Sequence, residues 1–294
     1  MDMNIQKYMA FVKAVELQSF SKAATVLHYS QSGISRMIND LEIEWGVTLL
    51  ERNRSGVRLT SDGLMLLPQA RNMVAEYRKM KTLVGALKGV ESGMIRIGTF
   101  SSVATHWLPC IIQAFQKDYP NIEYELLLGD YIEIEQWVLG GRVDCGFLRL
   151  PAHPELRTIF LEEDKLMAVL PESHPLAGQR FFPISALSEY PFMLLERGEA
   201  KSEVADALAQ WKVSAKIRFT TWDDYAILAM VECGLGISIL PQLVLRRIPY
   251  KVVIKPLEKP AARNICFALR DSANTSPAVL RFLDYLPRRA MHKN

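Results

Sequence analysis

The chain has 294 residues, of which 49% are hydrophobic, and a formal net charge of +3 at pH 7. This length and apolar fraction predict packed domains rather than a disordered chain. The small net charge is no argument for nucleic-acid binding, which must depend on local motifs. The longest apolar runs are strand-sized, well short of the roughly 20 residues of a membrane span, and the amino terminus lacks the pattern of a secretory signal. We therefore expect a cytoplasmic protein without membrane contact.

The cysteines and histidines of the chain are scattered. Cys110, Cys145, Cys233 and Cys266 form no CxxC or Cys/His pattern, and each has apolar neighbours. This predicts buried thiols without disulfides, in keeping with a reducing compartment. The five histidines are too far apart for a local metal-binding motif. We expect no metal site and no cofactor.

Three short helices are predicted at the amino terminus. Apolar residues recur at helical spacing over residues 4–18 and indicate an amphipathic first helix. Ser21 is a candidate N-cap for a second helix and Ser30 for a third, which would run to about Trp45. The third helix would bury the stripe Ile34, Ile38 and Leu41. Its first polar residues would point away from that core, namely Gln31, Ser32, Ser35 and Arg36.

Two helices joined by a short turn are typical of a helix-turn-helix, whose second helix enters the DNA major groove. Gln can pair with adenine, Arg with guanine, and Ser with a base or a phosphate. Ordinary solvation of a polar face is the alternative. Residues 49–60 predict a hairpin with a basic tip, where Arg52 and Arg54 could reach phosphates or the minor groove. Residues 1–60 are therefore interpreted as an all-α winged helix-turn-helix domain that binds double-stranded DNA.

The segment SFSKAATVLHYSQSGISRMINDLEIEWGVTLLERNRSGVRLTSDG, residues 19–63, resembles the DNA-binding region of LysR-type transcriptional regulators. The family pattern is roughly SF-x-x-AA-x-x-L-x-x-SQ-x-x-[IV]-S-x-x-I-x-x-LE-x-x-x-G-x-x-LF-x-R, ending LT-x-x-G. Gly33 stands where proline is common, and Leu50 where phenylalanine is common. The resemblance implies a regulator that binds an interrupted palindrome as a homotetramer, a dimer of dimers, under the control of a small effector. It also implies contact with RNA polymerase if the protein activates transcription.

A long helix is predicted from Ser61 to about Lys88, capped by Thr60 or Ser61 and kinked by Pro68. Apolar residues recur at heptad spacing along it and predict a dimer seam. The alternative is a helix that packs only on its own domain. The resembling family uses this element, here residues 61–92, as a linker and dimerisation helix. The predicted seam residues are Leu66, Met73, Tyr77, Met80, Val84 and Leu87.

Residues 93–294 alternate predicted strands and helices, which indicates an α/β fold with a mainly parallel sheet. The order restarts near residue 165. This predicts one lobe of about 93–164 with 264–294, a second of about 165–263, and a ligand cleft between them. The segments IRIG, GRVDCGFL, LPESHPLA and VECGLGISILP resemble the family's effector domain. The resemblance implies a two-lobed type II periplasmic-binding-protein fold.

In that fold the effector lies against the loop after the first strand, which here contains Thr99, Ser101 and Ser102. Hydroxyls and backbone amides at a helix start suit a carboxylate or another anion. Arg149 and Arg197 could supply positive charge, and Trp222 could stack on a planar ligand. The alternatives are structural: the serines could only cap a helix, and Trp222 could belong to the core. We predict effector binding by these six residues and an anionic small molecule as the effector.

No enzymatic activity is expected. Ser102 and His106 are the best catalytic pair, but no acidic partner and no nucleophile-elbow motif can be assigned to them. Two other functions stay open. The carboxyl-terminal domain of a DNA-binding regulator could serve oligomerisation only, or the chain could be a solute-binding protein, which would leave the winged helix unexplained.

Overall fold

The computed structural model describes residues 4–53, 56–87, 93–196, 202–270 and 275–290. The α-helices within these ranges are α1 (Ile5–Glu16), α2 (Phe20–Leu27), α3 (Gln31–Trp45), α4 (Ser61–Leu87), α5 (Ser101–His106), α6 (Leu108–Asp118), α7 (Tyr131–Leu139), α8 (Glu203–Trp211), α9 (Asp224–Glu232) and α10 (Pro277–Leu283). None of these described helices is long and apolar enough to cross a membrane. Short 3₁₀ helices span Ile184–Ser188 and Leu286–Ala290.

The strands are β1 (Leu50–Asn53), β2 (Gly56–Leu59), β3 (Gly93–Thr99), β4 (Ile122–Leu128), β5 (Cys145–Arg149), β6 (Arg157–Pro171), β7 (Phe192–Leu195), β8 (Ile217–Thr221), β9 (Ile237–Pro241), β10 (Val252–Pro256) and β11 (Ala262–Leu269). Strands β1 and β2 form an antiparallel hairpin. The other nine described strands form one sheet in the order β4-β3-β5-β11-β6-β9-β7-β8, with β10 beside β6.

The helices α1, α2 and α3 pack with the start of α4 around one apolar core. The prediction that Ser21 caps α2 was wrong, because the helix begins two residues earlier. Ser19 Oγ accepts a hydrogen bond from the Lys22 amide at 3.3 Å, and Phe20 is buried as the first helical residue. His28 ends α2 in the left-handed conformation, with φ of 58°. Ser30 caps α3 as predicted, so the two helices meet across a very short turn.

The helix α4 begins as the sequence predicts. Thr60 Oγ1 accepts a hydrogen bond from the Gly63 amide at 2.9 Å. A Cβ at Gly63 would lie 2.1 Å from the carbonyl oxygen of Leu49, so no larger residue fits without backbone movement. The helix continues through Pro68 to Leu87.

The large sheet is mixed, which corrects the prediction of a mainly parallel sheet. Pairs β3–β4, β3–β5, β7–β8 and β7–β9 are parallel. The long strands β6 and β11 are antiparallel to each other and to their other neighbours in the middle of the sheet. Strand β6 is also far longer than the predicted strand over 166–170, because its first half pairs with β11 and its second half with β9 and β10. These two strands join the lobes.

Each lobe has its own apolar core. One core contains Ile97, Phe115, Phe147 and Phe267 and belongs to the lobe that includes β3, β4, β5 and α10. The other lobe packs α8 and α9 on opposite sides of its sheet, in two clusters. The single helix predicted over 103–117 is instead two helices, α5 and α6, which meet at the buried Trp107 just before Pro109.

Three of the four cysteines are buried as predicted. Cys233 is exposed, which corrects that prediction, because it lies at the C-cap of α9 where the chain turns at Gly234. Burial raises the pKa of Cys145 and, to about 11, that of Cys266.

Candidate functional site

The amino-terminal end of α3 presents a polar surface. Gln31, Ser32 and Arg36 are exposed and Ser35 is half-buried, while Ile34 between them is fully buried. The buried stripe thereby fixes which face of the helix turns outward. The four predicted DNA-binding residues of this helix thus share one accessible surface at a helix start.

Gly33 explains how this helix begins without the proline that is common in the resembling family. Its amide donates a hydrogen bond to Ser30 Oγ at 3.0 Å, and Ser30 Oγ is also 3.0 Å from Ser32 Oγ. A proline at this position has no amide hydrogen and could not complete this N-cap. Compared with proline, Gly33 leaves the backbone less rigid but provides the amide hydrogen for the capping bond.

The hairpin β1–β2 is anchored to α3 and to the turn before α2. Glu42 Oε1 accepts hydrogen bonds from the amides of Leu49 and Leu50, at 2.7 and 3.1 Å. The Val57 amide donates to the carbonyl oxygen of Gln18 at 3.3 Å. The hairpin lies where the wing was predicted, tied to α3 near the carboxyl-terminal end of that helix. Of the two predicted wing residues, the backbone of Arg52 lies in β1, whereas Arg54 is outside the described residues.

The predicted dimer seam of α4 divides into two parts. Leu66 and Met73 pack against the core of the amino-terminal domain of their own chain. Met80 and Val84 are exposed, by 55% and 44%, and Tyr77 is half-buried, with Lys81 Nζ 6.0 Å from its ring centroid. Leu87 ends the helix, and its side chain is outside the described part of the structure. Of the predicted seam residues whose side chains the structure describes, only those in the outer half of α4 are therefore left uncovered by their own chain.

A cleft of about 360 Å³ lies between the lobes. The carboxyl end of β3, the starts of α5 and α7, and the end of β4 form one wall. The end of β7 and the starts of α8 and α9 form the other, and Arg263 of β11 lies at the junction. Ligands of α/β domains commonly bind at such an edge.

Arg263 joins the two walls. It is 5% exposed, and it bonds Asp164, which lies directly opposite in β6, at 2.9 Å from Nε. Its Nη1 donates to Glu203 at 3.0 Å and to the Tyr131 hydroxyl at 2.9 Å, and its Nη2 donates to Ser102 Oγ at 2.8 Å. Burial opposes its charge, but these neighbours outweigh burial and raise the pKa of Arg263. Ser102 and Tyr131 come from one lobe and Glu203 from the other, so one guanidinium ties the lobes together.

The six predicted effector residues have different positions relative to the cleft. Ser101, Ser102 and Trp222 line it. Trp222 is 68% exposed, so the alternative that it belongs to the core is wrong. Thr99 is fully buried behind the lining, and Arg149 Nη1 pairs with Asp206 at 2.8 Å outside it. Arg197 lies outside the described residues.

The most unusual carboxyl group of the cleft is that of Asp224. Burial, together with the nearby carboxylates of Glu203 and Asp223, raises its pKa to about 6 against the opposing charge of Arg263. Its Oδ1 is buried and accepts no hydrogen bond from any part of the chain that the structure describes. Asp223, beside it, caps α9 by accepting from the amides of Tyr225 and Ala226.

Sequence reasoning missed the charged residues of the cleft. Arg263 and Glu203 are far from the predicted loop in sequence and meet Ser102 only through folding. A signal did exist, because Arg263 lies at the start of a strand whose part from Ile265 to Leu269 is entirely apolar, and an arginine buried with such a strand requires a charged partner. The Ser102 hydroxyl accepts from Arg263 in this arrangement. Among the described residues, no group of three potential metal ligands is present.

A winged helix-turn-helix joined to a two-lobed, clefted α/β domain defines the class of DNA-binding regulators that carry a ligand-binding domain. Residues 5–64 match the model of the bacterial regulatory helix-turn-helix protein of the lysR family, and residues 88–291 match that of the LysR substrate binding domain. The chain belongs to the LysR family of DNA-binding transcriptional regulators, whose carboxyl-terminal domain binds a small effector.

The similarity to individual relatives extends over nearly the whole chain. The chain is 36% identical to the probable transcriptional regulator LrrA of Synechococcus elongatus, over 98% of each chain. A full-length OxyR variant from Pseudomonas aeruginosa has a similar fold, with a TM-score of 0.76, 22% identity and coverage of 98% of this chain and 97% of that one. Full-length CbnR, solved with its target DNA, has a TM-score of 0.70, 24% identity and coverage of 98% and 100%.

Proposed function

We propose that the chain regulates transcription by binding specific DNA through the amino-terminal end of α3, under the control of a ligand in the interlobe cleft. The observation that carries the DNA-binding role is the exposed polar surface over the buried stripe of α3. In this proposal the major-groove contacts are made by Gln31, Ser32, Ser35 and Arg36, and Arg52 and Arg54 support them from the wing.

The division of labour along the chain is part of the proposal. Residues 1–60 bind DNA, residues 61–92 link and dimerise, and residues 93–294 bind the effector. The exposed Met80 and Val84 on α4 support contact between two copies of the chain. Apolar residues at heptad positions are normally buried against a partner helix. A dimer of dimers would span an interrupted palindrome, because each dimer presents two recognition helices. We place this regulator in the cytoplasm, without enzymatic activity, and expect contact with RNA polymerase if it activates.

Control by the effector would act through the junction of the lobes. Arg263 bonds residues of both lobes at once, so a ligand between them changes how the lobes are held. Such a ligand changes DNA occupancy only by its difference in affinity for the two arrangements. The sequence predicted an anionic effector, whereas the charges of the described residues that line the cleft favour the opposite sign.

The test uses the full chain, immobilised and incubated with sheared genomic DNA at near-physiological salt, followed by sequencing of the retained fragments. Enrichment of a few sites with an interrupted palindrome is expected. Retention without sequence preference would reduce the protein to a non-specific DNA binder. The alternative is a carboxyl-terminal domain that serves oligomerisation and binds no ligand. It predicts that specific sites are retained and that no small molecule stabilises the protein against heat.

A further inference from the structure

Among the described residues that line the cleft, the acidic ones outnumber the basic ones. These lining residues include one guanidinium, that of Arg263, and five carboxylates, those of Asp130, Glu196, Glu203, Asp223 and Asp224. An anion entering this space would meet mainly like charges, whereas a cation would be attracted.

The positive charge of Arg263 is already compensated. Its guanidinium lies 2.8 Å from Asp164 and 3.0 Å from Glu203, and its remaining donors are directed at Tyr131 and Ser102. Its face also lies 5.0 Å from the centroid of the Phe100 ring. A ligand carboxylate would have to displace one of these partners and leave a buried carboxylate unpaired, which is costly.

Two of the remaining acids also have structural tasks. Asp130 and Asp223 are the N-caps of α7 and α9 and accept hydrogen bonds from amides in the first turn of these helices. Asp224 is different, because it is 9% exposed and its Oδ1 has no hydrogen-bond partner among the described residues. A buried carboxylate oxygen without a donor is expensive, and a ligand that donates a hydrogen bond there removes the cost.

Aromatic side chains stand beside this carboxylate. Trp222 and Tyr225 line the cleft and are 68% and 40% exposed, which is unusual for large rings. Organic cations are attracted to aromatic faces, and ammonium groups are often bound by carboxylates and rings together. Among the described residues, no three His, Cys, Asp or Glu side chains are placed so that together they could hold a metal ion, which favours an organic cation over a metal ion. A volume of about 360 Å³ suits a small molecule.

We infer that the effector of this regulator carries a cationic nitrogen, which donates to Asp224 Oδ1 and packs against Trp222 and Tyr225. This inference rests on the proposed function, because it assumes that the interlobe cleft is the sensor site. It names the ligand class as a small organic ammonium or amidinium compound.

The experiment compares three phenyl compounds of similar size and different charge at pH 7.5: 2-phenylethylammonium, 2-phenylethanol and 3-phenylpropanoate. The full chain is tested at millimolar concentrations by thermal unfolding, as wild type, Asp224→Asn and Trp222→Ala. Asp284→Asn, at an exposed aspartate outside the cleft, is the matched control. Each variant is also titrated with a DNA site from the genomic selection, so that folding and DNA binding are known independently.

The inference predicts that only the ammonium compound raises Tm. Asp224→Asn should abolish the shift, Trp222→Ala should reduce it, and Asp284→Asn should keep it. An equal shift in Asp224→Asn, or no shift by the ammonium compound, overturns the inference. If only 3-phenylpropanoate stabilises the protein, the sensor function stands and the cationic class is wrong. If none of the three stabilises the protein while DNA is still bound, the inference fails. A carboxyl-terminal domain that serves oligomerisation without a ligand is then the better interpretation.

Discussion

The two functional regions of this molecule are built in opposite ways. The proposed DNA-binding surface comes from one short stretch of chain, with Gln31 and Arg36 exposed above a buried apolar stripe in one helix. The cleft is assembled by the charged groups of Asp164, Glu203 and Arg263 with the Ser102 hydroxyl, which come from four separate elements. The first region depends on helix capping and periodicity, the second on buried electrostatics. Substitutions should therefore damage the two regions by different mechanisms and to different extents.

The largest effect is expected at Arg263. Arg263→Met leaves Asp164 and Glu203 as buried carboxylates without their cation and should lower the free energy of unfolding by about 3–5 kcal/mol. Chemical denaturation of the full chain measures this loss. Arg149→Met is the control, since its pair with the half-exposed Asp206 should be worth at most about 1 kcal/mol. Similar losses for both variants would show that the buried ion pairs of Arg263 stabilise the fold no more than the partly exposed pair of Arg149 does.

In the DNA-binding region the largest effect is expected at Gly63. In Gly63→Ala the new Cβ would lie 2.1 Å from the Leu49 carbonyl oxygen, and a backbone atom cannot rotate away. We expect a loss of about 3 kcal/mol in the stability of this domain and a parallel loss of DNA binding. Gly178→Ala, which adds a methyl group to open space, should change neither. Normal DNA binding and an unchanged unfolding curve for Gly63→Ala would contradict the packing described.

These two sites show what the sequence could and could not predict. The helices α1, α3 and α4 and the caps Ser30 and Thr60 follow from local patterns, and the structure has them where expected. The mixed sheet could not be predicted from local patterns, because the antiparallel pairing of β6 with β11 joins residues about 100 positions apart. The same long-range pairing sets Arg263 opposite Asp164, so the charged centre of the cleft was missed together with the topology.

The buried carboxyl of Asp224 predicts a pH-dependent cost in stability. Its pKa in the folded chain is about 6, above its ordinary value of 3.8, because of burial and the nearby carboxylates of Glu203 and Asp223, against the opposing charge of Arg263. A carboxyl with a raised folded pKa binds its proton more tightly in the folded state, so stability falls as pH rises from about 4 through about 6. Asp224→Asn should therefore be more stable by ~3 kcal/mol at pH 7.5 and equal to wild type below about pH 4.

Urea unfolding at pH 4, 6 and 7.5 measures this effect, with Asp284→Asn as a variant of equal charge change on the surface. A pH-independent difference between Asp224→Asn and wild type would mean that the carboxyl titrates normally in the folded chain.

The smallest effect concerns the cap of α3. Ser30→Ala should cost about 1 kcal/mol, because the Gly33 amide loses its acceptor. In a Gly33→Pro background this amide hydrogen is absent, so Ser30→Ala should cost much less there. A double-mutant cycle by thermal unfolding gives the difference. Equal costs of Ser30→Ala in both backgrounds would show that the capping bond contributes nothing to stability.

The central claim is that the exposed start of α3 recognises base sequence, and Arg36 tests it most directly. The affinity of the full chain for a selected genomic site and for a scrambled duplex is measured for wild type, Arg36→Ala and Lys13→Ala. Lys13→Ala removes the same charge from α1, where Lys13 pairs with Glu16. Arg36→Ala should reduce the discrimination between the two duplexes by about 1–3 kcal/mol, and Lys13→Ala should leave it unchanged. Unchanged discrimination in Arg36→Ala would contradict a base contact by this residue.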